Sequence, residues 1–178
     1  DLIMLDERLA GRTYPVDSVG QAEFKDASRS MLGPKQLDWF KNELKNSKAT
    51  WKIIGNQVIF SPLDISSFGY DNPVNLDAWD GYPYERQQIS QFLQNNQIEN
   101  VIITAGDTHS SWAFEVPNED KTQSIAVEFG TPSITSANSN EGKRTDKEVM
   151  QAEGVLKAKN PHLKYVDLRN HGYTILSL

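Results

Sequence analysis

An α/β fold is predicted by three observations on the sequence. Val101-Ile102-Ile103-Thr104-Ala105 is a continuous apolar, β-branched run, the pattern of a strand buried on both faces. Two amphipathic helical patterns, over 34–46 and 83–96, alternate with such runs. Long irregular segments then follow the predicted strands, at the place where α/β proteins build their sites. A length of 178 residues suits one domain, with enough chain to bury a core. With 24 acidic and 18 basic residues the net charge is −6, and no basic run exceeds a pair, which excludes a phosphate-tracking nucleic-acid surface. No apolar run approaches the length of a membrane span. Cysteine is absent, so disulfides and thiolate chemistry are excluded for these residues.

The elements follow in order. Asp1 to Asp6 reads as a buried strand, and a chain that opens inside a strand is expected to be a piece of a longer one. Residues 7–30 form a polar loop with scattered aromatics. Leu32-Gly33-Pro34 starts a helix over 34–46, since proline suits the first turn and Leu37, Phe40 and Leu44 recur at helical spacing. Trp51 to Phe60 is the second strand, with a break expected near Gly55. Residues 61–82 are a second long loop, and Pro83 to Asn96 a helix carrying Ile89, Phe92 and Leu93. After the strand at 100–105, Trp112–Val116 and Ser124–Phe129 are strands joined by the turn Asn118-Glu119-Asp120. A third loop covers 131–142, and a solvent-facing helix covers 143–158. Leu163–Leu168 and Tyr173–Leu178, flanking Asn170-His171-Gly172, read as a terminal hairpin.

Chemistry concentrates in two places. Gly106-Asp107-Thr108-His109 leaves the end of the most apolar strand, with Gly106 expected to allow the turn. A carboxylate and an imidazole delivered to one point make half of a metal site. The plainer alternative is a turn in which Asp107 caps and His109 is a satisfied surface residue. The middle loop carries Asp77, Trp79, Asp80, Tyr82 and Arg86 within a short stretch. An arginine in a first helical turn opposes the dipole and needs a partner. Either Arg86 clamps the loop through Asp80 or Asp77, or Arg86 and Asp80 position a phosphate. Trp79 and Tyr82 are read as packing residues, and Glu128 as a strand cap before a ligand-orienting group. Arg12 and Tyr14 lie in the first loop, where the spacing demands nothing of them.

The order of motifs resembles the alkaline phosphatase D (PhoD) family across almost the whole chain. The resemblance is carried by Leu5-Asp6-Glu7-Arg8, Leu32 to Trp39, Asn75 to Arg86, Gly106 to Ser110, Val127 to Ser136, Asn160 to Tyr165 and Gly172-Tyr173. It implies part of a four-layer αββα calcineurin-like metallophosphoesterase sandwich with mixed sheets. It implies a metal-dependent phosphomonoesterase or phosphodiesterase, using a binuclear or multinuclear centre of iron plus calcium, active on phosphate esters and exported to the periplasm or cell exterior. On that analogy Asp107 binds the divalent ion and His109 the iron. Asn56 or Gln57 falls where the superfamily often has a further ligand, but no histidine stands there. The family's other ligands precede its matching segment, so residues 1–178 read as the carboxyl-terminal portion of the catalytic domain. Alone it is expected to bind metal weakly, to be inactive, and to self-associate or pair with the amino-terminal half through an apolar sheet surface. A non-catalytic binding or structural domain of the same ancestry is the alternative.

Overall fold

The computed structural model describes residues 1–138 and 140–177. Its strands are β1 (Leu2–Met4), β2 (Lys52–Gly55), β3 (Val101–Ala105), β4 (Ser111–Pro117), β5 (Ser124–Gly130) and β6 (Leu163–Asp167). They form one mixed sheet in the order β1-β2-β3-β5-β4-β6. β1, β2, β3 and β5 run parallel, and β4 runs antiparallel to both β5 and β6. The helices are α1 (Gly33–Asn46), α2 (Pro83–Asn95) and α3 (Asp146–Lys159). The α/β class is therefore as the alternating pattern predicts.

All three helices cover the same face of the sheet. Phe40 and Leu44 of α1 and Ile89 and Leu93 of α2 pack with Ile3, Ile54, Val101, Ile103 and Val116. Val149, Ala152 and Leu156 of α3 pack with Ala105, Trp112 and Phe114. Phe114 and Val116 lie two residues apart on β4, and side chains two apart share a face. The opposite face carries two apolar rows in register. One row is Leu2, Ile53, Ile102 and Val127; the other includes Met4, Phe129, Ala113 and Tyr165. Leu2 is 65% exposed, Met4 63%, Tyr165 53% and Val127 37%. β1 is thus a half-buried edge strand and not the buried strand expected, because only Ile3 points toward the helices.

Three further expectations change. The second strand stops at Gly55; the Asn56 amide still donates to the Thr104 carbonyl of β3 at 2.8 Å, but the amides of Gln57, Val58, Phe60 and Ser61 are held by side chains and not by a neighbouring strand. The terminal hairpin does not form among the described residues: after β6 the chain turns to the 131–142 loop, with the Gly172 amide donating to the Ser133 carbonyl at 3.1 Å. Leu178, the end of that hairpin, lies outside the described residues, as does Ser139 of the third loop. The third helix begins at Asp146, where Thr145 and Glu148 form a reciprocal capping box that fixes its start.

Three buried glutamates hold the irregular segments. Glu7 accepts from the amides of Gln57 (2.7 Å) and Val58 (2.9 Å) and from the Trp79 indole (2.6 Å). Glu128 accepts from the amides of Phe60 and Ser61, both at 2.7 Å. Glu85, on α2, accepts from the amides of Met31 (2.6 Å) and Leu32 (3.1 Å) and from the Ser30 hydroxyl, so one helix secures the start of another. There Gly11 and Gly33 both have positive φ and lie so close that a Cβ on either would come within 2.9 Å of the other's Cα. Glu128 is a strand residue spent on loop backbone, which refines the strand-cap reading.

Burial pushes the carboxyl of Glu128 up to about 7, against the lowering effect of its hydrogen bonds to Phe60 and Ser61, and nearby Glu7 adds to the rise. Burial also raises Glu7 and Glu85. A carboxyl whose folded pKa is raised favours the folded state below its unfolded pKa, and that contribution is lost as pH rises through the folded value. Thermal stability should therefore fall between about pH 4.5 and 7, by on the order of 3 kcal/mol from Glu128 alone. Glu128→Gln should flatten this slope in thermal melts while costing about 1–3 kcal/mol, because its amide nitrogen faces a backbone donor. An unchanged slope would exclude Glu128 as the titrating group. The bare apolar face makes a second prediction. The chain of residues 1–178, produced by itself, should sediment as an oligomer, and Val127→Lys with Tyr165→Lys should return it to monomer. A wild-type monomer at all accessible concentrations would oppose this.

Candidate functional site

β3 delivers Asp107 and His109 to the carboxyl end of the sheet. Thr131 continues the pairing there, its amide donating to the Ala105 carbonyl at 2.7 Å. The turn is not made by Gly106, whose φ is not positive; Asp107 (φ 69°) and His109 (φ 54°) both adopt the left-handed region. The Thr108 amide donates to the Gly106 carbonyl at 2.8 Å, closing a three-residue turn centred on Asp107. Two non-glycine residues in this region within three positions store roughly 1–2 kcal/mol each, strain of the kind that clusters at functional sites. Around them the turn is braced: the Trp112 indole donates to the Thr108 hydroxyl at 2.8 Å, and that hydroxyl donates to the Ser110 carbonyl.

The two side chains differ in their ties. His109 Nδ1 lies 2.9 Å from the Ala137 carbonyl. A carbonyl only accepts, so Nδ1 carries the proton and Nε2 presents its lone pair. Asp107 is exposed, and one of its oxygens accepts from Arg8 at 3.3 Å. Arg8 also donates to Asp77 at 2.8 Å, and Arg12 pairs with Asp77 and donates to the Tyr82 hydroxyl at 3.0 Å. Burial alone would raise Asp77, but the bonds from Arg12 and Arg8 outweigh it and hold the carboxyl below its ordinary value. Arg8, Arg12, Asp77 and Asp107 thus form one chain of ion pairs.

An exposed carboxylate and an imidazole oriented through its second nitrogen fit a metal ion chemically. Among the described residues no group of three or more His, Asp or Glu gathers to hold one, so the pair is a partial donor set. Asn56 has both side-chain polar atoms buried without a partner, and Gln57 is engaged with the Glu7 amide at 2.6 Å. His162 donates through Nε2 to the Pro62 carbonyl at 2.6 Å, and burial lowers its pKa. His171 contacts Ser133 and Glu141.

Asp80 and Arg86 are placed as a loop clamp. Arg86 pairs with one oxygen of buried Asp80, and the other accepts from the Leu63 amide at 2.9 Å. Arg86 lines a hollow with Phe60, Pro62 and Val116, apart from the cleft that Thr108 and Ser110 line. The pair's contacts are those of a loop clamp, and the cation that reaches the Asp107 turn, Arg8, comes from the first loop. The sequence assigns neither Arg8 nor Arg12 to this site, since nothing local links residues 8 and 12 to residues 77 and 107. Tyr14 is almost fully exposed, and Trp79 and Tyr82 are buried packing residues as expected.

Beside the turn opens a cleft of about 670 Å³, bounded by residues 15–17, the 63–77 segment, Trp112, α3 and Leu168. No helix among the described residues is long and apolar enough to cross a membrane.

A family model described as PhoD-like phosphatase matches residues 1–178. Alkaline phosphatase D of Bacillus subtilis (strain 168) is 31% identical over 147 residues, which is 80% of this chain and 24% of that protein. A solved structure of PhoD matches with a TM-score of 0.75 and 28% identity over 96% of this chain and 32% of its own. The chain spans about a quarter of the curated relative and a third of the solved one. The mixed sheet with its helices accords with the metallophosphoesterase-like fold expected from the motifs.

Removing each cation should separate the two networks. Arg86→Ala leaves buried Asp80 unpaired and should cost about 3 kcal/mol or more in denaturant unfolding. Arg8→Ala breaks only exposed pairs and should cost under about 1 kcal/mol. Equal costs would contradict this division.

Proposed function

The chain belongs to the PhoD-like phosphatase family, and on that premise we propose that it contributes the Asp107–His109 part of a metal-dependent site that hydrolyses phosphate monoesters or diesters. The carrying observation is the strained turn at the end of β3, which holds His109 by Nδ1 and leaves Nε2 and the Asp107 carboxylate outward. Strain of this kind persists only where the surroundings over-determine it. In this proposal Asp107 offers a hard oxygen donor suited to calcium, and His109 a nitrogen donor suited to iron. A bound binuclear centre supplies Lewis acidity toward the phosphoryl group and a more acidic water. Arg8, already on Asp107, is free to exchange that carboxylate for a phosphoryl oxygen, and the carbonyl of Ala137 keeps the imidazole in its donor tautomer.

The remaining metal donors belong, in this reading, to polypeptide outside residues 1–178, and the apolar sheet face is where a second layer packs. Residues 1–178 alone then bind metal weakly and turn over no substrate, since each ion needs about three or four protein ligands. Export to the periplasm or the cell exterior is part of the same proposal. One observation favours a non-catalytic domain instead: the Arg8 guanidinium pairs with the Asp107 carboxylate.

The decisive measurement is metal content and phosphoesterase turnover of the full-length protein carrying Asp107→Asn or His109→Ala. Each substitution should lower bound metal and reduce kcat/KM by roughly 100-fold or more, with thermal stability nearly unchanged at exposed Asp107 and lowered by only about 1 kcal/mol at half-buried His109. Variants that keep both metal and turnover would remove the turn from the site. A wild-type protein that holds no metal and cleaves no ester would leave the non-catalytic reading.

A further inference from the structure

We infer that the cleft beside the Asp107–His109 turn receives the ester group of the substrate, and that this group is an uncharged aliphatic or aromatic alcohol. The inference rests on the phosphate-ester reading just proposed. Its first support is continuity. Thr108 and Ser110 line the cleft, while Asp107 and His109 alternate with them along the same turn, and Asp77, which Arg8 ties to Asp107, lies on the cleft wall. In this inference a phosphoryl group held at the turn directs its ester oxygen toward the adjoining cleft.

The second support is the lining. Phe68, Tyr70, Val74, Trp112, Leu156 and Leu168 supply an aliphatic and aromatic wall. A volume of about 670 Å³ lies within the range of small-molecule sites and exceeds what inorganic phosphate needs. The wall is also built to persist. Trp112 is tied to Thr108, the Ile65 amide donates to the Pro73 carbonyl at 2.8 Å, and Asn160 holds Asp64 through bonds of 2.8 and 3.0 Å. The loop that carries Phe68 and Val74 is thereby fastened to the end of α3.

The third support is charge. The charged residues of the lining are Asp17, Asp71 and Asp77 against Arg144, and Asp77 is already paired with Arg8 and Arg12. Arg144 lies over the Phe68 ring, 5.9 Å from its centroid. Exposed Asp17 and Asp71 give the cleft an acidic rim, which disfavours ester groups bearing further phosphates. Nucleoside polyphosphates are poor occupants on this ground, and a neutral apolar chain or ring is the occupant the lining accommodates.

The test uses the metal-loaded full-length protein with n-alkyl phosphates and symmetric di-n-alkyl phosphates of increasing chain length. In parallel, n-alkylphosphonates are titrated by calorimetry as non-hydrolysable probes. Both kcat/KM and phosphonate affinity should rise roughly two- to threefold for each methylene until the chain outgrows the cleft, part of each group staying in water. Phe68→Ala should flatten this slope, and Val74→Trp should end it at shorter chains. Slopes are compared within each variant, so a partly misfolded preparation scales every substrate alike. Hydrolysis with no dependence on chain length, or slopes untouched by both variants, would overturn the inference while leaving the phosphoesterase reading intact. If no ester in either series is cleaved, that reading fails, and a flat phosphonate series would then reject the cleft on its own.

Discussion

The architecture depends on carboxylates that replace a missing strand. Beyond the carboxyl ends of β1 and β2 the ladder bonds last one residue more, at Leu5 and Asn56, and the buried amides that follow have no strand to join. Buried N–H groups left unpaired cost a large part of a domain's net stability. Glu7, Glu85 and Glu128 each meet two successive amides, and each comes from a regular element or its immediate extension. The cost is desolvation of the carboxylate, visible as raised pKa values at all three. What they secure is the floor from which the β3 turn projects.

Above that floor, the site region separates into two electrostatic systems. Asp80 and Arg86 are consumed in fixing residues 60–63 to α2. Arg8 crosses from the first loop to Asp77 and Asp107, where it is partly exposed, while Arg12, nearly buried, holds the other side of Asp77. The first system is closed on itself; the second reaches the apolar cleft through Asp77.

The sheet itself is asymmetric. Right-handed crossovers between strands that advance in one direction place their helices on one side, and the buried rows of β3, β4 and β5 follow. The other side keeps apolar rows that water does not favour. The relatives that this chain matches are three to four times longer.

Local sequence determined the α/β class, the helices at α1 and α2, the β3 strand and the turn bearing Asp107 and His109, because periodicity and β-branched runs are local signals. The ordered motifs also carried the family resemblance. Tertiary structure alone decided the rest. The second strand gives way to irregular chain after Asn56 because Glu7 and Glu128 capture the amides of Gln57, Val58, Phe60 and Ser61, and neither glutamate is a neighbour in sequence. The last residues leave the expected hairpin because the 131–142 loop offers partners. Gly106 looked like the hinge, yet the left-handed geometry falls on Asp107 and His109, which only the surrounding contacts can impose. Arg8 reached the site from 99 positions away, a pairing that composition and spacing do not encode and that only chain topology creates.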